Sequence, residues 1–444
     1  MVLLSAQAAH LIAASGKKWG HLGVTRNDAD SVYNVVSWST GPNGTKRPLQ
    51  EGWRGHDSAS WMKGADGDVL WYRGSADLHE RGRGDAIRGQ ATPVDFLKEQ
   101  VEGDWLNFKR AILVVTFCER DGQTEWAGWM REGEDVFWPV DLEIFDPDAD
   151  LLAPLDLGWP RQVIAEEKVT IIGLGSIGGA ACEAMAAYGL RNFALADPDR
   201  LESHNFARHR STRRHHGKYK VDSVAELMQE RDSSVVIERV IADVGRDADQ
   251  MRGLFSESSV IACFTDGPAS RRMTSHLAFW AGRPVVLACI LDLGAYGEVL
   301  RLLPGRTGCL QCNRDGLSER LELGVELAEY QERLQVSREG GHIGMSRGFG
   351  HYGIDAGELP TTAVTGDLHL VGAFAAKTVI ATLLSRTGHR EQRLPGSHAL
   401  LGLRPPAIPD AAPFDRVAQP CTVAWLPTSA PDLDCPTCGP DARR

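Results

Sequence analysis

Two Cys-x-x-Cys pairs stand far apart in this chain, Cys309-Leu310-Gln311-Cys312 and Cys435-Pro436-Thr437-Cys438. Each pair can supply two thiolates, and together they complete a tetrahedral zinc site with no open position, so the ion would tie a tail to a domain and do no chemistry itself. A second chemistry lies in Gly173-Leu174-Gly175-Ser176-Ile177-Gly178, which follows a strand pattern and opens a helix pattern. Missing side chains there let backbone N–H groups and the helix N-terminus approach a phosphate. Asp197 ends the next strand at the spacing of a ribose contact. Taken alone, this pattern leaves dehydrogenase, methyltransferase and adenylating enzyme all open.

The elements that must position these residues alternate in type. From Lys168 the pattern predicts a strand at Val169–Ile172, a helix at Ile177–Tyr188, a strand at Phe193–Ala196, a helix at Val221–Arg231 and strands at Val235–Val240, Val260–Phe264 and Pro284–Ile290. Such alternation predicts an α/β fold, a Rossmann-like doubly wound and mostly parallel sheet. Residues 313–360 are expected to form a crossover loop with a charged helical stretch at Leu317–Leu334 and a glycine-dense part at Gly340–Gly357, followed by a long apolar helix at Leu368–Leu384. Upstream, residues 1–150 are Trp-rich, with β-like runs at Val32–Ser39, Val69–Arg73 and Ala111–Cys118, and predict a separate mixed α/β domain. A Pro- and Asp-rich linker over 151–165 leads to the second domain, 166–444.

Composition narrows the partners. A formal charge of −11 argues against general nucleic-acid binding, which favours a basic surface. The basic stretch from Arg208 to Lys220 is then better taken as a solvated loop beside a triphosphate. No run approaches the ~18 apolar residues of a membrane span, and the start has no signal-peptide pattern, so a cytoplasmic protein is expected. Nine cysteines, an odd number, do not suggest a disulfide framework.

The residues after Asp197 are no dehydrogenase continuation. Asp197-Pro198-Asp199-Arg200-Leu201-Glu202-Ser203-His204-Asn205-Phe206-Ala207-Arg208, then Gly217-Lys218-Tyr219-Lys220, then Cys263-Phe264-Thr265-Asp266-Gly267 with Arg271 shortly after, resemble the ThiF/MoeB/HesA and ubiquitin-activating enzyme superfamily in type and order. The resemblance runs over roughly Lys168–Gly439. It implies ATP-dependent adenylation of the C-terminal carboxylate of a ubiquitin-like or sulfur-carrier protein with a slim, Gly-Gly type tail. It also implies a homodimer, a structural zinc, and a conjugating-enzyme partner where an acyl group is passed on.

Adenylation sends a carboxylate onto the α-phosphate of ATP while negative charge grows, so fixed cations and magnesium must offset it. On that logic Gly173, Gly175 and Gly178 cradle phosphate, while Asp197 and Asp199 lie at the nucleotide, Asp197 on the ribose. Asn205 and Arg208 meet the phosphates, Lys220 the α-phosphate, and Asp266 the magnesium ion. Arg208, Lys220 and Asp266 are the expected catalytic set, and Cys309, Cys312, Cys435 and Cys438 the metal ligands. Rival readings are adenylation of a peptide or small carboxylate, an NAD-dependent oxidoreductase, and a zinc-stabilised scaffold with a relict nucleotide site.

In two respects the chain departs from its resemblances. Between Cys312 and Cys421 there is no cysteine, so the usual thioester nucleophile of ubiquitin-activating relatives is missing. Cys421 is the remaining candidate, since Cys182, Cys263 and Cys289 lie on buried patterns. The order of motifs in residues 1–150 looks like a JAB/JAMM metalloprotease domain, with Asp77, His79 and Asp95 in the ligand places. Glu80 replaces a proline and Lys17-Lys18 stand where the catalytic glutamate would fall, which implies a degenerate domain used for recognition. A fused conjugating domain is disfavoured, because Cys118 sits in an apolar strand with no His-Pro-Asn before it.

Overall fold

The computed structural model describes residues 1–27, 32–41, 47–48, 62–63, 68–103, 110–146, 149–150, 152–291, 294–318, 363–389, 393–405 and 413–440. The Leu317–Leu334 helical stretch lies largely, and the Gly340–Gly357 segment wholly, outside the described residues. The chain divides into two compact units, Met1–Asp150 and Leu151–Arg444.

In the first unit a mixed sheet is built around Asp68–Gly74, which pairs in parallel with Ala111–Arg120 and antiparallel with Trp19–Asn27. Ala111–Arg120 turns back into Gln123–Glu132 through Asp121-Gly122, both at positive φ (52° and 78°). That is the Asp-Gly hairpin turn whose backbone twist matches the strands it joins. Helix Ala76–Arg88 starts at Ser75, whose Oγ accepts from Leu78 N, and ends at the left-handed Gly89. Trp71, Tyr72, Phe117, Trp129 and Phe137 fill the core.

In the second unit eight strands run in the order Val236–Val240, Asn192–Ala196, Lys168–Ile172, Val260–Cys263, Val285–Leu291, Tyr296–Leu302, His398–Gly402 and Val423–Leu426. The first five are parallel, and the last three continue antiparallel. Parallel strands covered on both faces need near-continuous apolar runs, and Val260–Cys263 is buried throughout. Helices Ser176–Ala187 and Lys220–Arg231 cover one face together with Thr365–Arg386. The last is long and apolar enough to cross a membrane, yet two thirds of it is buried inside this core.

The segment expected to be a linker belongs to this unit. Helix Arg161–Ala165 buries Ile164 in the core, Arg161 forms a two-pronged ion pair with Asp156 at 2.7 Å, and Trp159 Nε1 donates to the Tyr188 carbonyl at 2.7 Å. Proline and aspartate there start and staple short helices.

Candidate active site

The chain leaves Lys168–Ile172 toward Asn192–Ala196 and Val236–Val240 on one side, then returns to lay Val260–Cys263 on the other. The reversal opens a crevice at the carboxyl ends of strands Lys168–Ile172 and Val260–Cys263, where doubly wound sheets bind ligands. The three glycines of the turn do different things there. Gly173 sits at φ +88°, and a Cβ on it would lie 2.7 Å from Thr265 Cγ2. A Cβ on Gly178 would lie 2.0 Å from the Gly173 carbonyl oxygen, so helix and turn could not close up. A Cβ on Gly175, the N-cap of helix Ser176–Ala187, would meet nothing within 4 Å. Two glycines pack the turn, and the third keeps its outer face clear.

Asp197 is buried, and both its oxygens are engaged: Oδ2 accepts from Leu174 N at 2.7 Å and Oδ1 from Asp199 N at 2.9 Å. Burial pushes its pKa up, against the pull of the Lys220 ammonium. Its first task is therefore to hold the glycine turn and the Asp197–Asp199 bend in register. Lys220 is placed by a small docking event. Gly217 N donates to the Leu201 carbonyl, Leu201 N to that of Lys218, and the Arg200 guanidinium lies 3.7 Å over the Tyr219 ring. This folds Gly217–Lys220 onto Asp199–Leu201 and sets Lys220 Nζ 2.7 Å from Asp199 Oδ2, with the side chain nearly buried.

Asn205 is held within its own turn. Its Oδ1 accepts from Glu202 N at 2.9 Å, capping the one-turn helix Ser203–Ala207, and the residue is buried. Arg208 sits at the end of that turn, half-buried, and its guanidinium makes no ion pair with a described residue. Thr365 Oγ1, at the start of the long core helix, holds the Ala207 carbonyl at 2.8 Å. His209 belongs to none of the sequence motifs, yet it lies among Lys220, Arg208 and Asp199. Its Nδ1 is buried without a partner among the described residues, and burial, reinforced by Lys220 and Arg208, lowers its pKa to about 3. Its only signal in the sequence is its place directly after Arg208.

Asp266 comes after Thr265, whose methyl group marks the wall beside Gly173, and is exposed with no carboxylate partner among the described residues. Arg271 is held by two neighbours: Nη1 lies 2.7 Å from Cys289 Sγ and Nη2 3.1 Å from the Asp266 carbonyl. Three other cations of the basic stretch are in ion pairs, Arg210 with Glu183, Arg214 with Glu230 and Lys218 with Glu226.

Cys309, Cys312, Cys435 and Cys438 converge, with Sγ separations of 3.8 Å (309 to 312), 3.6 Å (309 to 435) and 3.4 Å (312 to 438). Thiolates about 2.3 Å from a tetrahedral zinc ion stand about 3.8 Å apart, so the cluster fits a metal ion with little movement. Burial raises the pKa of the Cys309 thiol to about 11. At Cys435 burial acts the same way but is outweighed by the Thr437 and Cys438 amides and neighbouring thiols, lowering it to about 7.

Other candidate residues do not gather. Asp77 and Asp95 are exposed, Asp95 pairing with Lys98, while His79 is buried against Thr116 and Cys118. The trio has no common metal position, because helical spacing sends Asp77 and His79 to different faces of Ala76–Arg88. Cys421 is exposed at φ +63° beside the sheet's far edge strand, Val423–Leu426. Cys182 and Cys289 are buried, and burial raises both thiols, Cys289 to about 12.

Doubly wound domains that pin a glycine turn with the acid ending the next strand form a broad class, the α/β domains built to take a nucleotide at the switch point. Within that class the chain belongs to the ThiF family, whose model matches residues 152–398. Similar proteins include the "Adenylyltransferase and sulfurtransferase uba4" of Aspergillus fumigatus, 28% identical over 44% of this chain and 40% of that protein. The "Sulfur carrier protein ThiS adenylyltransferase" of Bacillus subtilis is 27% identical over 38% of this chain and 49% of that protein. The uba4 protein of Aspergillus niger is 33% identical over 40% and 39%. The matches thus span half or less of these relatives' lengths. Among solved structures, E. coli MccB with succinimide aligns at a TM-score of 0.45 and 16% identity, over 63% of this chain and 68% of that one.

Proposed function

We propose that this chain is an ATP-dependent adenylyltransferase that activates the C-terminal carboxylate of a ubiquitin-like or sulfur-carrier protein. Membership of the ThiF family and the names of the relatives support the reaction class. The observation that carries it to these residues is the Lys220–Asp199 pair at 2.7 Å, beside a turn whose Leu174 amide is held by Asp197. A carboxylate oxygen of the partner's tail attacks the α-phosphorus, the bond to the bridging oxygen breaks, and pyrophosphate leaves. The nucleophile is already ionised, so no base is required.

In this reading the amides opening helix Ser176–Ala187 and the clear face of Gly175 receive phosphate, Asp197 and Asp199 lie on the ribose side, and Arg208 and Lys220 meet charge developing on the phosphates. Asp266 would hold a magnesium ion, which when bound neutralises phosphate charge. The four cysteines would hold zinc and anchor the tail. The protein would act in the cytoplasm as a homodimer, on a tail slim enough to enter the crevice.

Exchange of labelled pyrophosphate into ATP tests this. Exchange should depend on a small carrier protein ending in Gly-Gly and should collapse in Lys220→Ala and Asp266→Ala. Exchange indifferent to both substitutions, or absent with every carrier while nicotinamide cofactors bind, would overturn the proposal.

A further inference from the structure

The first unit holds a side-chain cluster for which adenylation has no use. His79 from helix Ala76–Arg88, Cys118 from strand Ala111–Arg120 and Glu125 from strand Gln123–Glu132 bring a nitrogen, a sulfur and an oxygen within 4.8 Å of one another. The Asp121-Gly122 hairpin makes the pairing, since its register sets Glu125 directly opposite Cys118. Thr116, two residues before Cys118 and so on the same face, stands behind the histidine.

That background orients the ring. Trp129 Nε1, which can only donate, gives its proton to Thr116 Oγ1 at 2.9 Å, and His79 Nε2 lies 2.8 Å from the same oxygen. In the tautomer that donates Nε2–H to Thr116, the lone pair on Nδ1 faces Cys118 Sγ at 3.5 Å and Glu125 Oε2 at 3.9 Å. Metal-bound histidines are commonly fixed this way, through a hydrogen bond from the other ring nitrogen. Around a tetrahedral zinc ion the N···S and N···O separations are about 3.6 and about 3.4 Å, so the first is already met and the second needs a small inward turn of Glu125. His79 and Cys118 are buried, while the Glu125 side chain is 31% exposed and leaves a way in from solvent. Arg83 Nη1, which pairs with Glu125 Oε2 at 2.9 Å, would give up that oxygen or share it.

We propose that His79, Cys118 and Glu125 form a second metal site, taking a borderline-soft divalent cation of the zinc class, with its fourth position open toward solvent. One nitrogen, one thiolate and one carboxylate suit such ions better than calcium or magnesium. The open position separates it in kind from the closed four-cysteine cluster.

The full-length chain, loaded with zinc and freed of loosely bound ion, should carry about two zinc ions by elemental analysis, against about one in Cys118→Ala. Cobalt should give thiolate-to-cobalt charge-transfer absorption from both sites, and Cys118→Ala should remove the smaller, one-thiolate share while leaving that of the four-cysteine cluster. Because a core variant can misfold, Glu125→Gln on the partly exposed strand gives a second arm: an unchanged circular dichroism spectrum with the second ion bound at least ~10-fold more weakly. One zinc in the unaltered chain, or a count that neither Cys118→Ala nor Glu125→Gln changes, would overturn the site.

Discussion

Replacing Gly175 by alanine should leave the fold intact and damage only the handling of ATP. Its backbone lies at φ −71°, a conformation alanine adopts freely, and the added Cβ would meet nothing within 4 Å. An N-cap alanine costs on the order of 1 kcal/mol relative to a good cap, and about 0.4–1 kcal/mol returns through the smaller entropy of the unfolded chain. Stability should therefore stay within about 1 kcal/mol of the parent. If a phosphate is to approach those amides, the methyl group takes its place, and losing one hydrogen bond to a charged group, about 1.5–3 kcal/mol, raises the KM for ATP roughly 10- to 150-fold.

Gly178→Ala is the control with the opposite signature. Its Cβ would lie 2.0 Å from the Gly173 carbonyl oxygen, so turn or helix must shift, an overpacking cost of about 1–3 kcal/mol or more. Thermal denaturation and pyrophosphate exchange on both variants separate the two roles. An unaltered KM in Gly175→Ala, or melting as depressed there as in Gly178→Ala, would refute the assignment of an open, ligand-facing glycine.

Asp199→Asn should unhook Lys220, lowering the turnover of exchange about tenfold or more and stability by about 1.5–3 kcal/mol, since the lost contact is a charge-assisted one to a nearly buried ammonium. Glu298 is buried between His398 Nε2 at 2.9 Å and the Arg314 guanidinium, and Glu298→Gln should cost about 3–5 kcal/mol by removing the charge paired with Arg314. Burial opposes its ionisation, but His398 and Arg314 outweigh it and hold the carboxyl well below its ordinary range. A depressed carboxylate stabilises fully above its unfolded pKa of about 4.3 and loses that contribution as pH falls below it, so acid titration of stability should steepen there in the parent and flatten in the variant. Chelation or Cys435→Ser should lower the melting temperature of the second unit more than it lowers turnover, because a closed four-thiolate site is structural. Cys421→Ser should leave turnover unchanged, with mass spectrometry showing an AMP ester and no thioester on that residue.

The sheet of the second unit was legible because each parallel strand is a short apolar run bounded by turn residues, and strand Val260–Cys263 needs no partner to be recognised. The four cysteines were legible for a similar reason, since cysteine pairs with two residues between them have few other uses. The capping role of Asn205 was not, because nothing in its spacing from Asp197 reveals a one-turn helix whose first amide needs a cap. The setting of Arg271 was not, because its partner Cys289 lies on a strand that comes later in the chain. Cys118 meets Glu125 through a hairpin register and His79 through the packing of a helix 39 residues earlier in the chain, and neither is written in local spacing.

The strand order also bears on where an activated carboxylate goes. The glycine turn ends strand Lys168–Ile172, and Cys421 lies beside Val423–Leu426, five strand spacings along the same sheet. At about 4.8 Å per spacing that is roughly 24 Å, far beyond the contact distance an acyl transfer needs. The strands between are hydrogen-bonded to one another, so no swing of a side chain closes the gap. Cys182 and Cys289 are buried and held protonated, Cys263 is buried in its strand, and the remaining thiols of this unit belong to the four-cysteine cluster. On the proposed function, an acyl adenylate formed at the glycine turn would find no exposed free thiol beside it among the described residues.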